Sequence, residues 1–167
     1  LLAYGAHRAF HGRWLWRFHA IHHSSRRLDW LASARLHPLN DATARVVQVL
    51  PLYFLGFSGA VLAGFVPLFT LYAIFLHADV RWGFGPLRYV IASPRFHRWH
   101  HTSEEEGLDT NFAGLFPFID LAFGTFYMPT DHYMWGARLH LALTPDAAEG
   151  LVAGYTDVET WYLHMQR

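Results

Sequence analysis

The sequence predicts an all-helical membrane protein, and three observations support that fold class. Residues 46–78 contain no Asp, Glu, Lys or Arg, a run longer than the roughly 20 residues that one membrane span requires. The chain is 53% hydrophobic and 16% charged, whereas soluble domains carry about 25% charged residues. Most of its 13 histidines fall into clusters at helical spacing. We therefore expect a transmembrane or re-entrant helical hairpin that carries a histidine-rich, cytosolic helical cap.

Apolar patterns and turn residues predict the individual helices. Residues 3–24 are predicted to be helical, with a break or kink at Gly12. The apolar run predicts a helix near residues 43–55, a turn at residues 56–59 and a longer helix near residues 60–80. Further helices are expected over residues 95–103 and, as an interfacial or buried helix, over residues 117–124.

Histidine spacing predicts a metal site in the cap. Two H-x-x-H-H boxes and one H-x-x-x-H pair place imidazoles together on helix faces, because side chains three and four residues apart are neighbours. Imidazole is the commonest metal ligand in proteins, and eight imidazoles exceed the four ligands of a tetrahedral ion. The clusters therefore predict two metal ions with open positions. The clustered residues are His7 and His11; His19, His22 and His23; and His97, His100 and His101.

Residue chemistry alone leaves the metal open and excludes some partners. Imidazole suits zinc, copper, iron and nickel alike. The chain lacks both the Glu-x-x-His pairs of carboxylate-bridged di-iron bundles and the H-E-x-x-H motif of zinc proteases. It has no cysteine, so neither thiolate ligands nor disulfides are available. With 13 acidic and 13 basic residues, it has no basic excess to support nucleic-acid binding.

The order and spacing of these motifs resemble the fatty acid hydroxylase / sterol desaturase superfamily of membrane-bound, non-haem di-iron oxygenases. The resemblance implies O2-dependent hydroxylation or desaturation of a lipid or sterol-like substrate. It also implies two iron ions and an external electron donor, such as a ferredoxin or cytochrome b5. The matching stretches are residues 7–11, 15–25, 35–38, 77–80, 94–101, 109–112 and 123–126.

The same resemblance implies roles for residues outside the boxes. It makes His77 a ninth metal ligand and His37 a further candidate. Members of the superfamily sometimes carry another histidine four residues beyond His77, where this chain has Arg81; water or His37 would then fill that coordination position. Asp109 and Asn111 are expected to orient the ligands. The alternative is a zinc-binding or catalytically inactive membrane protein that keeps the boxes, and bound iron with O2 uptake distinguishes the two.

The position of the boxes predicts the membrane topology. Two boxes precede the apolar run and one follows it, so the run must enter and leave the membrane on the same side if all three bind one metal pair. Basic residues flank both ends, as is typical of cytoplasmic ends, so the boxes should face the cytoplasm. We expect residues 1–167 to form one domain that lacks N-terminal helices. The flanking residues are Arg35, Arg45, Arg81 and Arg88.

Overall fold

The computed structural model of the protein describes residues 1–25 and 27–129. Within these residues the chain forms six α-helices, three short 3₁₀ turns and no strand, which confirms the predicted all-helical class. His132, His140 and His164 have no partner at helical spacing, so the sequence predicts surface or core roles for them; they lie outside the described residues. The helices are α1 (Leu2–Phe10), α2 (Trp16–His23), α3 (Pro38–Phe54), α4 (Gly59–Leu76), α5 (Pro94–His100) and α6 (Phe118–Phe123), and the 3₁₀ turns are Trp30–Ala34, Gly85–Tyr89 and Glu105–Gly107.

The single helix expected over residues 3–24 is two helices, because the chain breaks at Gly12. The Gly12 amide bonds to the carbonyl of Ala9 at 2.9 Å, and the Gly12 carbonyl accepts the first bond of α2 from Trp16, also at 2.9 Å. On one straight helix, His7 and His19 would stand about 18 Å apart. The break lets α2 fold back, so that the Nε2 atoms of these two histidines lie 3.1 Å apart.

The hairpin is formed by α3 and α4, which residues 55–58 connect. α3 begins earlier than predicted because its start carries two strong signals: the His37 side chain accepts a hydrogen bond from the Leu39 amide, and proline occupies the first helical position. The Ser58 side chain caps α4 in the same way. The two helices have 17 and 18 residues, or about 26 and 27 Å of rise, which approaches a hydrocarbon core of about 30 Å.

The hairpin exposes its apolar surface. α4 is long and apolar enough to cross a membrane, and among the described residues Leu76 is its only buried side chain. α3 likewise buries only Asn40. A core helix of a soluble domain would instead be mostly buried, whereas an exposed apolar surface of this kind is typical of contact with lipid or with another protein.

Both ends of the hairpin lie at the histidines, and a small core supports them. Asn40 near the start of α3 bonds to His19, and His77 directly follows α4. Beside them, Leu76 packs with buried side chains of α5 and the loops around it. The other buried members of that core are Ala92, Phe96, Trp99 and Met128.

An ionic contact joins three segments that are far apart in the sequence. The Asp79 carboxylate accepts from Arg98 of α5 at 2.9 Å and from Arg27, which follows the second box, at 3.1 Å. Arg98 is largely buried and Arg27 is exposed. Because exposed ion pairs contribute little, the Arg98 contact is the one that fixes the turn after α4 against α5.

Candidate metal centre

The structure brings the nine histidines that were predicted as ligands into one place, as two adjacent groups. In each group the candidate ligand nitrogens lie within 4.8 Å of one another, which is close to the size of one coordination shell at about 2.1 Å per ligand. The rings of His23 and His101 stack at 4.2 Å and join the groups. The five-histidine group contains His7, His11, His19, His23 and His100, and the four-histidine group contains His22, His77, His97 and His101.

Each H-x-x-H-H box is divided between the two groups. The outer pair of a box, four residues apart, stays in one group, while the middle histidine joins the other group. His22 thus leaves His19 and His23, and His100 leaves His97 and His101. Sequence spacing indicated that each box aims at one point, whereas the folded boxes interlock. The two groups therefore cannot form independently of each other.

Neighbouring Nε2 atoms face each other at a regular short distance. Two nitrogens bound at right angles to one metal, each about 2.1 Å from it, lie about 3 Å apart. The observed separations match that value in both groups. They are 3.1 Å for His7–His19, His19–His23, His22–His77 and His77–His97, and 3.2 Å for His97–His101.

The hydrogen bond that a ring makes through Nδ1 determines whether its Nε2 atom has a hydrogen or a lone pair. The Nδ1–H of His77 donates to the backbone carbonyl of Ala73 at 2.7 Å, and that of His22 donates to the carbonyl of Arg35 at 3.3 Å. A carbonyl only accepts, so each neutral ring has its hydrogen on Nδ1 and a lone pair on Nε2. Two lone pairs then face each other at 3.1 Å. Such contacts are repulsive unless a cation lies between them.

Two more Nε2 atoms of the site have no hydrogen-bond partner in the described part of the chain. The Nε2 atoms of His11 and His100 are buried and unpaired. Buried polar atoms without partners are costly and rare in native proteins. Metal ligation would satisfy both atoms.

Burial keeps these rings neutral. Desolvation, together with the nearby His11, lowers the pKa of His7 to about 3. Desolvation likewise lowers the pKa of His77 to about 4. At neutral pH a proton is therefore not held between these nitrogens, and a metal ion would meet imidazoles that are already deprotonated.

One short segment orients three of the five histidines in the larger group. Asp109 and Asn111 both adopt left-handed backbone angles, with φ of 52° and 57°, which Asp and Asn tolerate better than other non-glycine residues. These turns aim three acceptors of the segment at the rings. The acceptors are Asp109 Oδ1 for His11 Nδ1 (3.0 Å), the Thr110 carbonyl for His100 Nδ1 (2.8 Å) and the Phe112 carbonyl for His7 Nδ1 (2.7 Å).

The two residues expected to orient the ligands have different contacts. Asp109 bonds directly to His11. The fully buried Asn111 instead holds the backbone, because its amide donates to the carbonyls of Phe96 and Tyr127 at 3.0 and 2.6 Å. Asn111 therefore supports the segment rather than a ligand ring.

The contacts of two further polar residues differ from what the sequence motifs indicated. Asn40, which the motifs did not single out, accepts from His19 Nδ1 at 2.7 Å through its side-chain oxygen. No spacing rule predicts this contact, because it crosses between separate helices. His37 stands apart from both groups: its Nδ1 accepts from the Leu39 amide, and its ring packs on Phe18. We therefore leave His37 out of the ligand set.

The fold and the histidine groups define an all-helical protein in which two adjacent groups of mostly buried imidazoles lie at the ends of the helix pair α3 and α4. The chain belongs to the fatty acid hydroxylase family, whose model matches residues 1–125. That range ends close to the last described residues and contains all nine clustered histidines.

Several relatives carry names that describe lipid chemistry. The chain is 34% identical to the ornithine lipid hydroxylase OlsE of Rhizobium tropici over 90% of its own length and 44% of that protein. It is 30% identical to the alkylglycerol monooxygenase of Danio rerio over 73% of the chain and 27% of that protein. It is 32% identical to the very-long-chain aldehyde decarbonylase GL1-7 of Oryza sativa subsp. japonica over 87% of the chain and 24% of that protein. The chain thus spans less than half of each relative, and no solved structure matches it significantly.

Proposed function

We propose that this chain holds the catalytic site of a membrane-bound, non-haem di-iron oxygenase that hydroxylates or desaturates a lipid or sterol-like substrate. The facing, unprotonated Nε2 atoms of His22 and His77 carry the proposal, because only a bound cation makes that arrangement stable. Family membership and relatives named for lipid hydroxylation and monooxygenation support the reaction class.

The nine histidines fit the proposed metal pair by number, tautomer and burial. The five-histidine group would hold one ion and the four-histidine group the other. When bound, the two ions would supply the O2-dependent oxidation of an unactivated C–H bond, which no side chain can perform. The protein's part is to orient the rings, to keep them neutral and to exclude water from around them. Because imidazole also accepts zinc, the identity of the metal has to be measured.

The hairpin would deliver the substrate. We propose that α3 and α4 enter and leave the lipid on the cytoplasmic side. Asn40 at the start of the hairpin and His77 at its end both contact the cluster, and basic residues flank both ends of the apolar run. An apolar substrate dissolved in the bilayer could then reach the metals without crossing water.

Electrons would come from a separate protein, such as a ferredoxin or cytochrome b5. Three exposed arginines, Arg8, Arg13 and Arg17, lie on or between α1 and α2, the part of the chain that carries five of the nine proposed ligands. We propose that they dock an acidic surface of the donor. Docking of this kind weakens with ionic strength, so reduction of the metal centre should slow as salt is added.

Metal content and turnover of matched variants test the proposal. The membrane-expressed protein should contain two iron ions per chain, consume O2 when supplied with electrons and lipid extract, and yield a lipid whose mass rises by one oxygen or falls by two hydrogens. His100→Ala should lose turnover yet remain in the membrane. His37→Asn, which keeps a helix-capping side chain outside both groups, should retain activity. A fully active His100→Ala protein, or stoichiometric zinc without O2 uptake, would contradict the proposal.

A further inference from the structure

The segment between α4 and α5 exposes a run of large apolar side chains. Trp82, Leu87 and Val90 are 58%, 61% and 51% exposed among the described residues. Tyr89 and Ile91 are also exposed. Five exposed apolar side chains within ten residues are unusual for a surface that meets water.

This segment packs along the side of α4. The ring of Phe75 contacts those of Trp82 and Phe84 at centroid distances of 5.7 and 6.2 Å. The Tyr72 hydroxyl donates to the carbonyl of Ala92. Tyr72 lies about 6 Å along the helix from its last residue. Residues 82–92 therefore run beside the final turns of α4 rather than beyond its end.

That position gives the segment a defined depth in a bilayer. The polar region on each side of the hydrocarbon core is roughly 5–8 Å thick. A chain that lies against the last turns of a lipid-facing helix is therefore at the boundary between headgroups and acyl chains. Its composition fits, because Trp82 and Tyr89 are of the residue types enriched at that boundary. Arg88 stacks over the Tyr89 ring at 4.7 Å, and a long basic side chain of this kind can extend to the headgroups.

We propose that residues 82–91 lie in the membrane surface as a second lipid-contacting element, with Leu87 and Val90 in contact with phospholipid acyl chains. The inference rests on the proposed hairpin, since α4 sets the depth. Residue 92 is followed directly by the Ser93 cap and the first turn of α5. The segment therefore holds the third histidine box at a fixed height above the lipid.

Site-directed fluorescence can measure this contact directly, because the chain has no cysteine. A single cysteine at Leu87 or Val90 would carry an environment-sensitive fluorophore in the membrane-embedded protein. The protein is reconstituted in phosphatidylcholine vesicles with or without lipids that bear a nitroxide, placed either near the headgroup or midway along the acyl chain. Iodide serves as the aqueous quencher. Leu68, 64% exposed on α4, is the matched lipid control, and the exposed Glu105 is the matched water control.

The labels at Leu87 and Val90 should be quenched by the nitroxide lipid and protected from iodide. Quenching by iodide alone, as expected for Glu105, would overturn the inference. Protection from both quenchers would also overturn it, because the segment would then be covered by protein. The Leu68 label distinguishes the two proposals. If the Leu68 label also fails to contact lipid, the hairpin proposal is wrong. If the Leu68 label contacts lipid, only the proposal for residues 82–91 is wrong.

Discussion

At the residue scale, the hydrogen bond made by Nδ1 determines whether the Nε2 atom of a histidine can bind a metal. Backbone carbonyls hold the Nδ1–H of His7, His22, His77 and His100 and leave Nε2 free to bind. His97 differs, because its Nδ1 is buried without a partner in the described part of the chain. The spacing of the histidines predicted which of them cluster. It could not predict which ring nitrogen points into the cluster, because the atoms that accept from the other nitrogen are mostly main-chain carbonyls of other segments.

The lowered histidine pKa values predict a fold that weakens in acid. The folded-state pKa values of His7 and His77 are about 3 and 4, while an unfolded chain has the ordinary value near 6.5. Between pH 6.5 and 4 the unfolded chain binds protons that the folded chain does not, so stability falls as the pH falls. The melting temperature of the metal-free protein in detergent should therefore drop from pH 7 to pH 4.

Two comparisons check that the histidine groups cause this pH dependence. His37→Asn should follow the same curve, because His37 lies outside both groups. Metal-loaded protein should keep its melting temperature near neutral pH and lose its metal as the pH falls below about 6, since ligation competes with protonation. A melting temperature that stays constant down to pH 4 in the metal-free protein would contradict the neutral, buried state of these rings.

At the scale of elements, the hairpin and the box helices were predictable and their mutual arrangement was not. The length of the uncharged run, its prolines and the Gly-Phe-Ser-Gly turn predicted the ends of both hairpin helices to within about five residues. The sequence predicted a break or kink at Gly12, but it contained nothing about the angle through which α2 turns back after it. The exchange of His22 and His100 between groups depends on how α2 and α5 pack, which is a tertiary property. The left-handed angles at Asp109 and Asn111 are likewise set by the contacts around them.

Asn40 links the start of α3 to His19 of the histidine groups, and its proposed part in metal binding can be tested by substitution. Asn40→Leu removes the acceptor for His19 Nδ1 while keeping a similar volume, so the ring loses its orientation. Loss of such a supporting bond typically costs 10–100-fold in metal affinity. We expect a loss of roughly that size, measured as metal retained against a competing chelator.

Asn40→Asp is the matched control for that measurement. A carboxylate keeps the acceptor at the same place, so metal retention should stay near the level of the unsubstituted protein. Retention that is equal in the Leu and Asp variants and in the unsubstituted protein would mean that the 2.7 Å contact with His19 does not orient this ligand.

At the scale of the whole molecule, one cluster constrains the path of the entire chain. The nine proposed ligands lie before the hairpin, at its end, and in or directly after α5. A chain that crossed the bilayer an odd number of times between the second and third boxes could not assemble them. Topology is therefore a consequence of the site, and it can be measured without any assay of activity.

Cysteine labelling in sealed vesicles tests the topology. Single cysteines at Ser33, in the 3₁₀ turn before the hairpin, and at Ser103, after α5, should react with a membrane-impermeant thiol reagent from the same side. A cysteine at Ser58, in the hairpin turn, serves as the control and should not react from that side. Labelling of Ser33 and Ser103 from opposite sides would contradict both the hairpin and the shared metal pair.

The facing lone pairs of the histidine groups affect the abundance of this protein in a cell. Without ions, the interior of the cap consists of mutually repelling nitrogens, and a ligand that binds only the native state raises stability by mass action. Newly made chains that fail to acquire metal would open more often and be removed by proteases, since small losses of stability change abundance several-fold. Scarcity of the metal would then lower the number of protein molecules in the membrane, and not merely the fraction of them that is active.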